Sequence, residues 1–221
     1  MTTIGFIGSG NIGGTVARLA AAAGYQVVLS NSRGPQTLQG LVGEIGPKAS
    51  AGTVEQAAQQ GDIVVVAVPL RAYRDVPAAP LAGKAVLDAN NYYPERDGQI
   101  SELDARSATS SELLQRHLPG ASVVKAFNNI FFRHLLALAR PQGAPDRSAL
   151  PVAADDAAAV KAVTEFLDAI GYDAVVSGTL AESWRQEPGS AAYGPYGSFD
   201  NEAGTPLGAA ALGALLAEAR R

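Results

Sequence analysis

The sequence predicts an α/β fold, a doubly wound Rossmann-type parallel sheet extended by a C-terminal β-α-β unit and a helical tail. Short apolar runs alternate with segments of helical periodicity along most of the 221 residues. The run DIVVVAVP, residues 62–69, is apolar at consecutive positions, which is typical of strands covered by helices on both faces. A glycine fingerprint follows the first apolar run and opens the first helix.

The predicted elements alternate in a regular order. The predicted strands are residues 3–8, 25–30, 62–69, 84–91, 122–129, 149–155 and 172–177. The predicted helices are residues 11–23, 36–45, 53–60, 110–118, 156–169 and 206–220. Such alternation favours right-handed crossovers and one open sheet. We expect residues 1–140 to form one domain and residues 141–221 a smaller part that adds to it.

Composition narrows the classes of partner and compartment. A formal net charge of −4 gives no reason to expect nucleic acid or an anionic membrane as partner. Cysteine is absent, which excludes disulfides and thiolate metal sites, and no His/carboxylate spacing suits a metal. The longest apolar run, residues 63–68, is too short to span a bilayer, and no basic segment precedes an apolar stretch at the N-terminus. We therefore expect a cytoplasmic protein.

The segment IGFIGSGNIGG carries the strongest functional signal. Gly8, Gly10 and Gly13 fit the pattern G-x-G-x-x-G directly after a strand and at the start of a helix. Gly8 allows a sharp turn, Gly10 leaves room for a pyrophosphate, and Gly13 allows close helix–sheet packing. Ser9 and Asn11 can add side-chain hydrogen bonds. The alternative is a glycine turn that packs a helix on a strand and binds no ligand.

The segment after the second predicted strand lacks the acid that NAD-binding proteins use to bind the adenosine 2′-OH. The strand ends near Ser30, and no Asp or Glu occurs between it and Glu44. Asn31 and Ser32 can donate hydrogen bonds to a 2′-phosphate, and Arg33 can add a charge-assisted pair. This favours NADP(H). The alternative is a polar turn in which Asn and Gly serve only the turn geometry.

Four stretches together resemble the F420-dependent NADP oxidoreductases and the NADPH-dependent reductases grouped with them. They are residues 4–35, VAVP at 66–69, VVKAFNN at 123–129 and ESWRQEPGSAAYG at 182–194. The reductase domain of the STEAP metalloreductases is similar as well. The resemblance implies a Rossmann sheet that binds NADP, a small C-terminal part that helps to form a cleft, and hydride transfer between nicotinamide C4 and deazaflavin C5.

The resemblance also implies which positions contact the cofactor. Those at the pyrophosphate are Ser9, Gly10, Asn11 and Ile12, and those at the 2′-phosphate are Ser32 and Arg33. Those beside the nicotinamide ribose are Val68, Pro69, Leu70, Ala89 and Asn90. Ala126, Phe127 and Asn128 are implied near the nicotinamide ring and the acceptor. Ligands of such sheets bind outside the carboxyl ends of the strands, which supports these positions independently.

No side chain is assigned a catalytic role, because hydride transfer to a flavin-like acceptor depends on positioning and on exclusion of water. The candidates for contact with the acceptor are Phe127, Asn128, Asn129, His134 and Trp184. A packed or surface position is the alternative for His134. Trp184 could stack on a planar acceptor together with Tyr193, Tyr196 and Phe199, or these residues could anchor a long loop.

Charged residues give weaker signals. An anionic acceptor could be bound by Arg71, Arg74, Arg133 and Arg185. Lys125 lies within a strand and is expected to be structural. Asp88 could orient backbone amides near the cofactor or simply hydrogen-bond within its loop.

The sequence therefore predicts an NADPH-dependent oxidoreductase that transfers hydride between NADP(H) and a small-molecule acceptor, a flavin or the deazaflavin F420. The alternatives are a reductase of a small carbonyl, imine or ferric substrate, and a non-catalytic NADP-binding sensor. The resemblance and the apolar tail helix favour a homodimer.

Overall fold

A single eight-stranded sheet organises the protein, and the computed structural model describes residues 1–221. The strands are β1 Thr3–Ile7, β2 Gln26–Ser30, β3 Ala49–Ala51, β4 Ile63–Val66, β5 Ala85–Asp88, β6 Ser122–Lys125, β7 Ala149–Ala154 and β8 Asp173–Gly178. Their order in the sheet is β3-β2-β1-β4-β5-β6-β7-β8. The order reverses between β1 and β4, and ligands of open α/β sheets bind at such a switch point.

Nine helices connect the strands. They are α1 Asn11–Ala22, α2 Gln39–Ile45, α3 Val54–Gln60, α4 Pro94–Asp97, α5 Ser101–Asp104, α6 Ser110–His117, α7 Phe132–Ala137, α8 Ala157–Ala169 and α9 Ala209–Glu218. Four 3₁₀ turns cover Pro35–Leu38, Leu70–Asp75, Ala79–Leu81 and Leu180–Gln186. None of the helices has both the length and the apolar content that a bilayer-spanning segment needs.

The sheet is parallel from β3 through β6 and changes direction at β7. β7 pairs antiparallel with β6, with Lys125 opposite Ala153, whereas β7 and β8 are parallel to each other. The fold class predicted from the sequence is confirmed, but the apolar run 149–155 carries no information about direction. The segment that contains α7 does not return to the amino ends of the parallel strands. β7 therefore begins beside the carboxyl end of β6 and runs antiparallel to it.

Several elements differ from the sequence pattern, and the short helices α4, α5 and α7 are among those not predicted. β3 is not predicted, because its three residues form no apolar run and owe their conformation to pairing with β2, where Ala49 lies opposite Val27. The predicted helix 36–45 is a 3₁₀ turn followed by α2, and a left-handed Gly46 ends it.

Helices cover both faces of the sheet, which accounts for the continuous apolar strands. One face buries Phe6, Val65 and Leu87 against α1 and α8 in a core of 28 residues. The other face buries Val64 and Val86 against α3 and α6 in a core of 12 residues. Both cores lie beneath the carboxyl ends of β1, β4, β5 and β6 and hold those ends in place.

A tail loop, residues 187–208, returns from β8 to the carboxyl ends of β1, β4, β5 and β6. Gly194 donates its backbone N–H to the Asn129 carbonyl at 2.8 Å, and Ala149 donates to the Leu207 carbonyl at 2.8 Å. α9 then packs on β7 and β8 through Leu212 and Leu216. The C-terminal segment therefore extends the sheet and also borders its binding edge.

Candidate functional site

A cleft of about 860 Å³ lies at the carboxyl ends of β1, β4, β5 and β6. Its walls come from the turn after β1 (residues 10–12), the strand ends 67–69 and 89–91, the segment 127–134 and the tail loop at 193–200. The volume falls within the range of small-molecule sites in proteins. The structure thus brings the two halves of the sequence to one site.

Glycine is present at the three fingerprint positions for different structural reasons. Gly8 has a φ of +96°, and a Cβ there would lie 2.3 Å from the Ala67 carbonyl oxygen. A Cβ at Gly13 would lie 2.0 Å from the Gly8 carbonyl oxygen. Gly10 borders the cleft, and a Cβ added there would have no atom within 4 Å. Packing therefore requires Gly8 and Gly13, whereas the open space at Gly10 matches the room that a pyrophosphate needs.

The N-terminus of α1 is free to bind an anion. Gly10 is its N-cap, no side chain caps it, and its first turn contains no acidic residue. Its first backbone N–H groups therefore keep their partial positive charge for a ligand. Ser9 fixes the turn, because its hydroxyl donates to the Ser30 carbonyl at 2.9 Å, which also accepts the Gly8 N–H at 3.1 Å.

The loop after β2 presents a free cation beside this turn. The Asn31 side chain is used within the loop: its Oδ1 accepts the Arg33 N–H at 2.9 Å and its Nδ2 donates to Thr37 Oγ1 at 2.9 Å. Ser32 and Arg33 are exposed, and the Arg33 guanidinium makes no hydrogen bond or ion pair. Asn31 thus shapes the loop, and Ser32 and Arg33 are the groups open to a 2′-phosphate.

Asn90 lies at the end of β5 with one unused donor. Its Oδ1 accepts the Val68 N–H at 2.9 Å, and its own N–H donates to Asp88 Oδ1 at 2.9 Å. Its Nδ2 is buried without any hydrogen-bond partner, although Asn90 borders the cleft. A buried donor without a partner is costly, so this amide is suited to an oxygen of a bound molecule.

A buried ion pair supports this strand end. Lys125 Nζ donates to the Asn90 carbonyl at 2.6 Å, to Ser110 Oγ at 2.8 Å and to Asp88 Oδ2 at 3.3 Å. Ser111 Oγ donates to the same Asp88 oxygen at 2.6 Å. Lys125 is therefore structural, and Asp88 fixes the backbone of Asn90 by accepting its N–H.

The turn after β6 attaches the tail loop to the sheet. Phe127 has a φ of +64°, a conformation that is unfavourable for a bulky residue. Asn128 Nδ2 donates to the Gln186 carbonyl at 2.7 Å, and Asn129 Nδ2 donates to the Ala192 carbonyl at 2.9 Å. Asn129 Oδ1 is buried without a partner. Both asparagines border the cleft, but their amide donors bind protein carbonyls.

His134 borders the cleft with little freedom. Its side chain is buried, and its Nε2 lies 2.8 Å from the Asn201 carbonyl oxygen, which requires a proton on that nitrogen. Its ring packs edge-on against Phe131, with centroids 5.3 Å apart. The histidine therefore holds the tail loop.

Aromatic rings line part of the cleft wall. Tyr93 and Tyr193 bring their hydroxyl groups into hydrogen-bonding contact, and the Arg96 guanidinium lies 4.8 Å from the Tyr93 ring centroid. Phe131 and Phe199 stack edge-to-face at 4.9 Å. Burial, with the hydrogen bond to Tyr93, raises the pKa of the Tyr193 phenol. We call Tyr93, Tyr193, Phe131 and Phe199 the aromatic wall.

Several predicted positions lie outside the cleft. Trp184 borders a separate pocket of about 220 Å³ and stacks with Arg185 at 4.8 Å. Tyr196 is fully buried and donates to the Ala149 carbonyl at 2.8 Å, so it anchors the loop. Leu70 and Ala126 are fully buried, because their side chains pack beneath the strand ends. The structure thus places these side chains away from the cleft, and the predicted contacts of these positions with a cofactor or acceptor stay predictions.

The arginine that borders the cleft is also not one of those predicted from the sequence. The arginines predicted to meet an anionic acceptor do not border it: Arg71, Arg74, Arg133 and Arg185. Arg96 does, together with Tyr93. Both follow the strand end at 84–91 within NNYYPER, and that position was the one available signal for them.

Comparison with known proteins places these features in a family. The family model described as "NADP oxidoreductase coenzyme F420-dependent" matches residues 3–92. The structure of a hypothetical protein of Sinorhizobium meliloti is 31% identical, with a TM-score of 0.74 over 86% of this chain and 91% of that chain. A candidate F420-dependent NADP reductase of Arthrobacter sp. FB24 has the same fold, with 24% identity and a TM-score of 0.70 over 83% of this chain and 87% of that chain.

A curated relative covers a shorter part. Protein YjhV of Escherichia coli (strain K12) is 43% identical over 53 residues, which are 24% of this chain and 39% of that protein. The family match spans β1 to β5 and so includes the fingerprint turn, the loop after β2 and the strand ends beside the cleft. The family resemblance seen in the sequence is thereby confirmed: the chain belongs to the coenzyme F420-dependent NADP oxidoreductase family.

Proposed function

We propose that the protein transfers hydride from NADPH to a flavin-like or deazaflavin acceptor, with F420 as the first candidate. The observation that carries the proposal is the continuity of the cleft. It runs from the fingerprint turn past the ends of β4 and β5 to the aromatic wall. A nicotinamide at the strand ends would face a planar acceptor stacked on aromatic rings.

The residues present fit NADP. The uncapped N–H groups of α1 and the open space at Gly10 would hold the pyrophosphate. Ser32 and the unpaired Arg33 would hold the 2′-phosphate, and no carboxylate stands nearby in the sequence to repel it. These groups decide which dinucleotide is accepted.

The nicotinamide end would lie at the strand ends. Val68 and Ala89 form part of the cleft floor, and the free Nδ2 of Asn90 can donate a hydrogen bond to a ribose or carboxamide oxygen. Bound NADPH supplies the hydride. The chain orients the two reactants and excludes water from between them, which can account for much of the rate of such a transfer.

The aromatic wall favours a planar acceptor over a small carbonyl or imine. Its rings offer stacking surface rather than a small enclosed pocket, and the cleft is open on the side of Phe199, which is 73% exposed. The name of the family points to F420, and the fold of the Arthrobacter protein agrees with such a use of the cleft.

The test is NADPH oxidation by the purified full chain with a panel of acceptors: F420, FMN, menadione, ferric citrate and a cyclic imine. Rapid oxidation with F420 or FMN supports the proposal. Turnover of the imine alone contradicts it and indicates an imine reductase. Ferric turnover without F420 or FMN would place the activity with the metalloreductases. Tight NADPH binding without oxidation of NADPH by any acceptor would indicate a sensor.

A further inference from the structure

Two tyrosines from distant parts of the chain meet in the cleft. Tyr93 follows β5, Tyr193 belongs to the tail loop, and their hydroxyl groups form a hydrogen bond to each other. Both rings are partly buried and both border the cleft. A loop can be attached by apolar contacts alone, so a pair of hydroxyl groups beside the acceptor space suggests a chemical role.

We propose that Tyr193 is a catalytic residue that donates a proton to the acceptor as the acceptor receives hydride, and that Tyr93 replaces this proton through their hydrogen bond. The inference rests on the proposed function. It deepens that function by naming the class of acceptor: a conjugated molecule that ends with a new proton on nitrogen or oxygen.

The surroundings of the pair keep Tyr193 protonated before the reaction. Burial raises the pKa of Tyr193, so its phenol holds its proton in the resting protein and gives it up only to a more basic atom of the reduced acceptor. The Arg96 guanidinium lies 4.8 Å from the Tyr93 ring centroid, and Asp97 pairs with Arg96 at 2.8 Å. The pair is thereby held on one side of the cleft.

The other polar groups of the cleft are less suited to this role. His134 directs its Nε2 to the Asn201 carbonyl, and Asn128 and Asn129 donate to carbonyls of the protein. Asp200 is exposed to solvent at the open side of the cleft. The two phenols remain as the neutral acids that face the acceptor space.

The step is balanced as follows. The acceptor gains a hydride from NADPH at one atom and a proton from Tyr193 at a conjugated nitrogen or oxygen. The O–H bond of Tyr193 breaks, and the proton of Tyr93 moves to Tyr193. Tyr93 then regains a proton from the solvent. The sum is NADPH, one proton and the oxidised acceptor giving NADP⁺ and the reduced acceptor.

The experiment compares Tyr193→Phe and Tyr93→Phe with the wild type in H₂O and D₂O, using NADPH with F420, FMN and menadione. Tyr92→Phe is the matched control. Its hydroxyl donates to Asp104 at 2.7 Å and accepts the Ile100 N–H at 2.9 Å, but it does not border the cleft. Kd for NADPH and the Tm are measured for every variant.

We expect Tyr193→Phe to lower kcat about 100-fold, as loss of a general acid does, with Kd for NADPH and the Tm unchanged. Tyr93→Phe should cause a smaller decrease, because water can also return the proton. The wild type should show a solvent isotope effect that Tyr193→Phe loses, and Tyr92→Phe should behave as the wild type.

An active wild type with an unchanged kcat in Tyr193→Phe overturns the inference alone. So does a decrease in kcat that is matched by weaker NADPH binding and a lower Tm, since the pair would then only attach the loop. If the wild type oxidises NADPH with none of the acceptors, the proposed function fails and the inference fails with it.

Discussion

Asp88 and Lys125 face each other across β5 and β6, with Lys125 Nζ 3.3 Å from Asp88 Oδ2 and both side chains fully excluded from solvent. Each has further partners: Ser111 donates to Asp88, and Lys125 donates to Ser110 and to the Asn90 carbonyl. The pair therefore connects the interior of the sheet to the strand end that carries the unused Asn90 amide.

Lys125→Met should destabilise the protein by about 3–5 kcal/mol, because it leaves the Asp88 carboxylate buried without its cation. Urea unfolding measures this. The double variant Lys125→Met/Asp88→Asn should recover part of the loss, since no buried charge then remains. A loss of stability in the double variant equal to the sum of the two single losses would show that the two residues are not coupled.

Substitutions at the fingerprint glycines should separate effects on stability from effects on NADPH binding. Gly8→Ala and Gly13→Ala should lower the free energy of unfolding, because each Cβ would lie 2.0–2.3 Å from a backbone oxygen. Gly10→Val should cost less stability than either, as nothing lies within 4 Å of a Cβ there and only a favourable N-cap residue is lost, but it should abolish NADPH binding. Thermal unfolding and fluorescence titration with NADPH check both halves. A Gly10→Val variant that binds NADPH normally would place the pyrophosphate elsewhere.

Arg33→Ala should weaken NADPH binding by about 1.5–3 kcal/mol and leave NADH binding nearly unchanged, since only NADPH carries the 2′-phosphate. Titration with both dinucleotides measures the difference. Arg116→Ala is a matched control, because Arg116 is also a surface arginine, is paired with Glu102 at 2.6 Å and borders neither the cleft nor the fingerprint turn. Equal losses for the two cofactors in Arg33→Ala would contradict the assignment.

Ionisation of Asp97 should make the free energy of unfolding depend on pH in the acidic range. Burial alone would raise the pKa of this carboxyl, but hydrogen bonds from Arg96 and from the N–H groups of Tyr93 and Arg71 outweigh it and hold the pKa below its usual value. A lowered pKa in the folded state gives stability above the unfolded-state pKa of about 3.9, and this stability is lost as the pH falls through the folded-state value.

Asp97→Asn should therefore be less stable than the wild type at neutral pH, and the difference should shrink as the pH falls below about 4. Denaturant unfolding over this range measures it. Asp75→Asn is the control, because Asp75 is exposed and its side chain makes no hydrogen bond or ion pair. A difference that stays constant with pH would show that the Asp97 charge has no part in stability.

The fingerprint half of the site could be predicted from the sequence because its constraints are local. The need for Gly8 and Gly13 arises within a single strand–turn–helix segment, and the missing acid after β2 is visible in the sequence itself. The NADP-binding positions of the loop remain predictions, although the free guanidinium of Arg33 agrees with them.

The aromatic wall could not be predicted to the same extent, because contacts between distant segments decide it. Trp184 and Tyr193 both belong to the C-terminal aromatic stretch, yet only Tyr193 reaches the cleft. The tail loop depends on the bonds of Asn128 and Asn129 to Gln186 and Ala192, which link positions about 60 residues apart. Nor does a short apolar run reveal that β7 is antiparallel.

The path of the chain after β8 separates two kinds of surface within one protein. Residues 10–12, 67–69 and 89–91 supply the surface that would meet a dinucleotide, whereas residues 193–200 supply much of the surface that an acceptor would meet. The 3₁₀ turn Leu180–Gln186 and the tail loop bring residues 193–200 back to the carboxyl ends of the parallel strands. Substitution, insertion or exchange within the tail loop can therefore change acceptor preference while the dinucleotide surface stays intact. A chimera that receives the tail loop of a relative would inherit the acceptor of the donor and the dinucleotide of the host.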